Sequence, residues 1–270
     1  MGFEWQTLIL GVVQGVAEFL PISSSGHLAL LQTRFDFSST NLLMFDLLLH
    51  CATMLAVLLF FWTDIRNFLI QWCRGFFFTE DRCKEGWRYG WGVLLATVTT
   101  ACVALPLKTT VEAAMRSPTA VGVGLLVTAG ILCLVPLVPK RQKELSIRIA
   151  LFVGLVQGFA VFPGVSRSGA TIAAALFAGL ASPEAFRLSF LLSVPTILGA
   201  TLLEGLEMFV ASGPLLPDGW FWGMIAAFLL GWLSLAFLRR LVLSGKWPYF
   251  GVYCFFLGLF AITSQVMTSF

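Results

Sequence analysis

An all-α protein that crosses a membrane several times is predicted by three features of the chain. It carries little charge, it has six apolar stretches of span length, and a Ser-rich segment occurs twice. Of the 270 residues, 58% are hydrophobic and 11% charged, with a mean hydropathy of +0.90. A soluble domain carries about 25% charged residues, so the solvent of this chain is largely lipid. A span needs about 20 mostly apolar residues. The stretches 41–62, 88–106, 118–138, 184–208, 219–239 and 247–268 qualify.

The remaining composition excludes other classes. The chain holds 17 Lys and Arg against 14 Asp and Glu. The basic residues cluster between apolar runs, so no nucleic-acid partner is expected. The six cysteines form no CxxC pair and read as packing thiols. The N-terminus lacks a basic leader and runs straight into a polar motif, so no cleavable signal peptide is expected.

The repeated segment reads GVVQGVAEFLPISSSGH from Gly11 to His27 and GLVQGFAVFPGVSRSGA from Gly154 to Ala170, an offset of 143. Nine of 17 positions are identical: Gly11/Gly154, Val13/Val156, Gln14/Gln157, Gly15/Gly158, Ala17/Ala160, Phe19/Phe162, Ser23/Ser166, Ser25/Ser168 and Gly26/Gly169. Glu18 and His27 occur only in the first copy, where the second has Val161 and Ala170; Arg167 stands in place of Ser24. Each copy is an apolar run of helical character that breaks, at Pro21 or at Pro163-Gly164, before a Ser-rich stretch and a second short apolar run. Non-helical backbone at membrane depth is tolerated only where protein or a wet cavity covers it. Two re-entrant helix–loop–helix hairpins, over 5–34 and 147–181, are therefore expected. The stretch 64–79 is short and mixed, and reads as an interfacial helix.

Charge bias sets the orientation. The loop 63–87 holds Arg66, Arg74, Arg82 and Lys84; the loop 139–148 holds Lys140, Arg141, Lys143 and Arg148; Arg239, Arg240 and Lys246 flank the last loop. The positive-inside rule places these three in the cytoplasm. The first hairpin then enters from outside and the second from inside. One membrane domain over 1–270 results, built of inverted halves over about 1–115 and 116–270, an architecture familiar from transporters.

Ionisable groups inside a bilayer are costly and default to function. Gln14 and Glu18 are four apart and share a helix face. The tip Ser23-Ser24-Ser25-Gly26 offers hydroxyls and free backbone N–H groups at a helix start. The tip Ser166-Arg167-Ser168-Gly169, with Thr171 behind it, adds a guanidinium. Helix N-termini attract anions and Arg matches phosphate oxygens. Two such tips facing each other would cradle phosphate or diphosphate through Ser23, Ser25, Gly26, Ser166, Ser168, Gly169 and Thr171. Glu18 could hold a divalent cation, with Gln14, or act as a base. His27 could exchange a proton with Ser24 as nucleophile. Arg167 would stabilise charge during transfer. The blander readings stand beside these. Ser and Gly also serve close helix packing, and Glu18 with Arg167 could be a structural ion pair. His27 could be a satisfied core histidine. Asp46 and His50 could support the site from behind or satisfy each other.

These motifs resemble the undecaprenyl-diphosphate phosphatase family of the bacitracin-resistance type. Its first motif, (E/Q)xxxE, is matched by Gln14 and Glu18 with PISSSGH following, and its second, PGxSRSxxT, by Pro163 to Thr171. The stretches FDLLLHCATMLAVLLFFW, from Phe45, and LSFLLSVPTILGAT, from Leu188, are also similar to the family. The resemblance covers nearly the whole chain. It implies hydrolysis of a C55 isoprenoid diphosphate to the monophosphate and phosphate, recycling the lipid carrier of peptidoglycan synthesis and conferring bacitracin resistance. It implies an enzyme of the bacterial inner membrane with its site open to the periplasm, dependent on a divalent cation, Mg2+ or Ca2+. Glu18, Ser24, His27 and Arg167 would be the essential group. The partners implied are the isoprenoid diphosphate lipid and the bilayer, with a homodimer as an open assembly state. Gln14 takes the Gln option of the first motif and so removes one metal ligand. The type-2 phosphatidic acid phosphatases share fragments such as SGH and SR, but their KxxxxxxRP is absent and Ala173 stands where their His would be. A carrier or flippase of an anionic lipid or small anion is the alternative, motivated by the inverted repeat; it would need no Ser–His pair.

Overall fold

The computed structural model describes residues 4–32, 39–139, 141–211 and 216–268. Among these, α-helices account for nearly all regular structure. The first repeat forms α1 (Glu4–Phe19) and α2 (Ser24–Gln32), separated at Leu20–Ser23 where Pro21 cannot continue the ladder. The second forms α8 (Ile147–Phe159) and α9 (Arg167–Ala178), separated by a turn containing Pro163 and Gly164. Both expected helix–break–helix units are thus present, although residues 33–34 of the first lie outside the described residues.

The six apolar stretches are helical, as α3 (Ser39–Phe60), α5 (Glu85–Ala104), α7 (Pro118–Leu134), α10 (Ser182–Ala211), α11 (Trp220–Ser244) and α12 (Trp247–Thr268). Among the described residues, five helices are long and apolar enough to cross a membrane by themselves; a sixth span results if the bent pair Met44–Phe60 and Trp62–Phe77 is counted as one. That second segment is α4 (Trp62–Phe77), which leaves α3 at 73° and occupies the stretch expected to be interfacial. The connection after α5 is helical. A 3-10 turn at Leu105–Leu107 leads into α6 (Lys108–Met115), because Pro106 sits at a helix start where its missing N–H costs nothing. Ser117, Ser146 and Ser166 cap α7, α8 and α9 with their hydroxyls, each satisfying an N–H that the helix start leaves open.

The outer surface is apolar. Leu55, Leu233, Phe237, Phe256 and Phe260 are all exposed, as lipid-facing residues must be. The interior holds an aromatic cluster in which Phe190 of α10 meets Phe19 at 5.7 Å, Phe186 at 4.8 Å and Phe61 at 5.9 Å. Phe19 ends α1, so this cluster fixes the end of the first helix just before its break. The main helix pairings join elements distant in sequence. α1 packs along α11, α8 packs along α5, and α7 pairs with α12. Small residues permit the approach: Gly11 and Gly15 of α1 lie against backbone atoms of Gly223 and Ala227, and Gly154 of α8 lies against those of Ala96.

Candidate active site

The two breaks touch. A methyl group on Gly26, in α2, would come 3.1 Å from Gly164 Cα, and one on Gly169, in α9, would come 3.1 Å from Pro21 Cβ. Gly26 and Gly169 are equivalent in the repeat, as are Pro21 and Gly164, so the contact is reciprocal. Ser168 Oγ also donates to the Leu20 carbonyl across 3.5 Å. The tips are built alike. Ser23 Oγ accepts from Gly26 N at 3.3 Å and lies 3.2 Å from Ser25 Oγ. Ser166 Oγ accepts from Gly169 N at 3.1 Å and lies 3.2 Å from Ser168 Oγ. Ser23 takes φ 68°, the one positive value at a non-glycine among the described residues, an αL conformation that costs about 1–3 kcal/mol.

Each break is braced by a span. Thr128 of α7 donates to the Gly164 carbonyl and accepts from Ser166 N, both at 2.9 Å. Gly164, at φ 86°, turns the chain there. On the other side, Cys254 Sγ of α12 reaches the Pro21 carbonyl at 3.8 Å.

Glu18 lies at the centre, almost fully buried. Its Oε1 accepts from Arg167 Nη2 at 2.5 Å. Its Oε2 accepts from Ser24 Oγ at 2.6 Å and from Gln14 Nε2 at 3.2 Å, and His50 Nε2 stands 3.8 Å away. The carboxylate therefore joins a hydroxyl from one tip and a guanidinium from the other. Two buried polar atoms here have no hydrogen-bond partner: Gln14 Oε1 and Arg167 Nη1. Such atoms are costly to leave open, and a buried acceptor on Gln14 and a buried charged donor on Arg167, both residues bonded to Glu18, suit a phosphate and its counter-ion.

Several residues stand differently from the sequence expectation. Ser24 is partnered by Glu18, not by His27. The His27 ring has other partners: Nδ1 lies 2.8 Å from the Ser23 carbonyl and Nε2 lies 2.7 Å from Tyr253 Oη. The histidine lies one turn further along α2, and its capping carbonyl sets the ring's direction. Asp46 and His50 do not pair through their side chains. Gln32 Nε2 donates to both Asp46 oxygens, at 3.0 and 2.9 Å, while His50 Nδ1 donates to the Asp46 backbone carbonyl at 2.8 Å. His50 Nε2 is thereby aimed at Glu18. Thr171, fully buried, hydrogen-bonds Ser189 Oγ at 2.6 Å and the Arg167 carbonyl at 2.8 Å, so its hydroxyl supports α9 from behind. Tyr253 and Thr128 went unnoticed in the sequence. Tyr253 had a signal: the chain uses 26 Phe and only 3 Tyr, so a tyrosine inside a phenylalanine-rich span marks a wanted hydroxyl.

Among the described residues no group of three His, Cys, Asp or Glu is arranged to hold a metal ion. One carboxylate with a neighbouring orphaned carbonyl oxygen, Glu18 with Gln14 Oε1, fits a cation that arrives with phosphate oxygens, as Mg2+ commonly does.

An all-α, multi-span membrane protein with a buried carboxylate–hydroxyl–guanidinium centre between two helix N-termini is an anion-handling membrane protein. More closely, the chain belongs to the family described as Bacitracin resistance protein BacA, whose sequence model matches residues 7–260. It is similar to the undecaprenyl-diphosphatase of Methanosphaera stadtmanae, 36% identical over 96% of this chain and 97% of that one. It is 39% identical to the protein of that name from Korarchaeum cryptofilum, over 94% and 96% of the two chains. It is 40% identical to the one from Desulfosudis oleivorans, over 94% and 95%.

Proposed function

We propose that this chain is an undecaprenyl-diphosphate phosphatase, which releases the terminal phosphate of the lipid diphosphate and returns the carrier lipid to cell-envelope synthesis. The observation that carries the reading is the 2.6 Å hydrogen bond from Ser24 Oγ to Glu18, beside the open Arg167 Nη1. The diphosphate head binds between the tips. Arg167 Nη1 takes a terminal phosphate oxygen, and the N–H groups starting α2 and α9 face the same charge. Ser24 Oγ attacks the terminal phosphorus while its proton passes to Glu18. The bond from phosphorus to the bridging oxygen breaks, and its electrons leave on the lipid monophosphate. Water then attacks the phosphoserine and gives a proton to His27 Nε2, and Ser24 Oγ recovers its proton from Glu18. Mg2+ or Ca2+, held through Glu18 and Gln14 Oε1 together with the diphosphate, would neutralise substrate charge.

The positive-inside bias supports hairpins that re-enter from opposite faces and inverted halves; the family resemblance implies a site open to the periplasmic side of a bacterial inner membrane. The reciprocal contact of Gly26 with Gly164 and of Gly169 with Pro21 supports the same symmetry. All the groups named lie on one chain, so the chemistry requires no homodimer.

The test is phosphate release from undecaprenyl diphosphate by the purified protein in detergent, with and without a chelator. The parent is expected to release phosphate and to slow with chelator; Ser24→Ala, Glu18→Ala and Arg167→Ala are expected to lose it. Release by all three variants would remove the site. A folded parent that moves the lipid but releases nothing would make the protein a carrier.

A further inference from the structure

His27 Nδ1 faces a backbone carbonyl, which can only accept, so Nδ1 carries a proton and the neutral ring keeps its lone pair on Nε2. That lone pair meets the Tyr253 phenol at 2.7 Å, and the two rings lie within 9° of parallel with centroids 5.7 Å apart. Tyr253 belongs to α12, and its neighbour Cys254 reaches the Pro21 carbonyl in the break itself. The helix is in turn seated closely on α7, where a methyl group on Gly122 would come 2.7 Å from the Gly258 carbonyl oxygen. The helix that braces the first break therefore also sets where the phenol stands. Tyr253 is 45% exposed, so the pair sits at the rim and not in the sealed interior.

We propose that Tyr253 is a positioning residue for His27. Its hydroxyl holds the ring plane and keeps Nε2 as the acceptor, so the imidazole meets the attacking water as a base already in the needed tautomer. The phenol's hydrogen bond gives way when that water arrives. This inference rests on the phosphatase reading for its kinetic arm alone.

The chain has only two histidines, so nitrogen-15 spectra of histidine-labelled protein resolve both rings, with His50→Gln assigning them. His27 is expected as the Nδ1–H tautomer, and Tyr253→Phe is expected to shift its Nε2 resonance. The same variant should lower kcat about tenfold, the fold-change of one neutral hydrogen bond, with KM changed less than twofold. Tyr249→Phe, one turn earlier and exposed, should leave kcat within twofold. An Nε2–H tautomer in the parent overturns the proposal without any variant having to fold. So does parental kcat in Tyr253→Phe, or a rise in KM alone, which would mark a substrate contact. No phosphate release from the parent sinks the phosphatase reading, and the nitrogen shifts then judge the Tyr253–His27 contact by themselves.

Discussion

Arg167 spends one of its two terminal nitrogens on Glu18 and keeps the other buried and open. That division requires a fork, and a lysine is a single point charge. Arg167→Lys should therefore keep the ion pair, and with it the stability, while losing the phosphate contact. A fall in phosphate release of about a hundredfold is expected, the usual cost of one removed charge-stabilising donor. Thermal unfolding should stay near that of the parent. Arg167→Ala, by contrast, leaves Glu18 buried without its partner, which costs about 3–5 kcal/mol, and should also lower the melting temperature. Full activity in Arg167→Lys would mean that the fork has no role in binding.

The hairpins are short helices that cannot hold their own ends together; the spans do it for them. Thr128 is the clearest case, since its hydroxyl closes both the Gly164 carbonyl and the Ser166 N–H. Thr128→Val keeps the shape and removes the hydroxyl, leaving two backbone groups open at about 1–3 kcal/mol for a buried unsatisfied group. Thr128→Ser should restore most of that. Unfolding midpoints in denaturant, measured side by side, check the order parent, Ser, Val; equal midpoints for Val and Ser would show the hydroxyl to be idle. The sequence gives this element incompletely. Ser-rich breaks after Pro21 and Pro163 were legible because proline and capping serines act locally. Thr128 lies 38 residues from Ser166 in an otherwise apolar span, and nothing in the spacing marks it.

At the scale of the molecule, α1 pairs with α11 and α8 with α5, so the helix that leads into each break is packed on a span distant in sequence. This arrangement makes the orientation testable in a background with all six cysteines replaced. A single Cys at Asp218 should react with an impermeant reagent from outside, and one at Lys143 only after the membrane is opened; the reverse pattern would invert the assignment of faces.

Composition, apolar length and proline breaks determined the all-α membrane fold, the two broken helices and the polar residues gathered at the breaks, because each of these is fixed by a residue's own type and its near neighbours. The tertiary structure alone decided how that set is wired. Ser24 went to Glu18 instead of His27, His50 was aimed at the same carboxylate, and Tyr253 was brought to His27 across 226 residues of chain. Side-chain directions at a helix break depend on the span that packs there, and helical periodicity says which face is buried but not against whom.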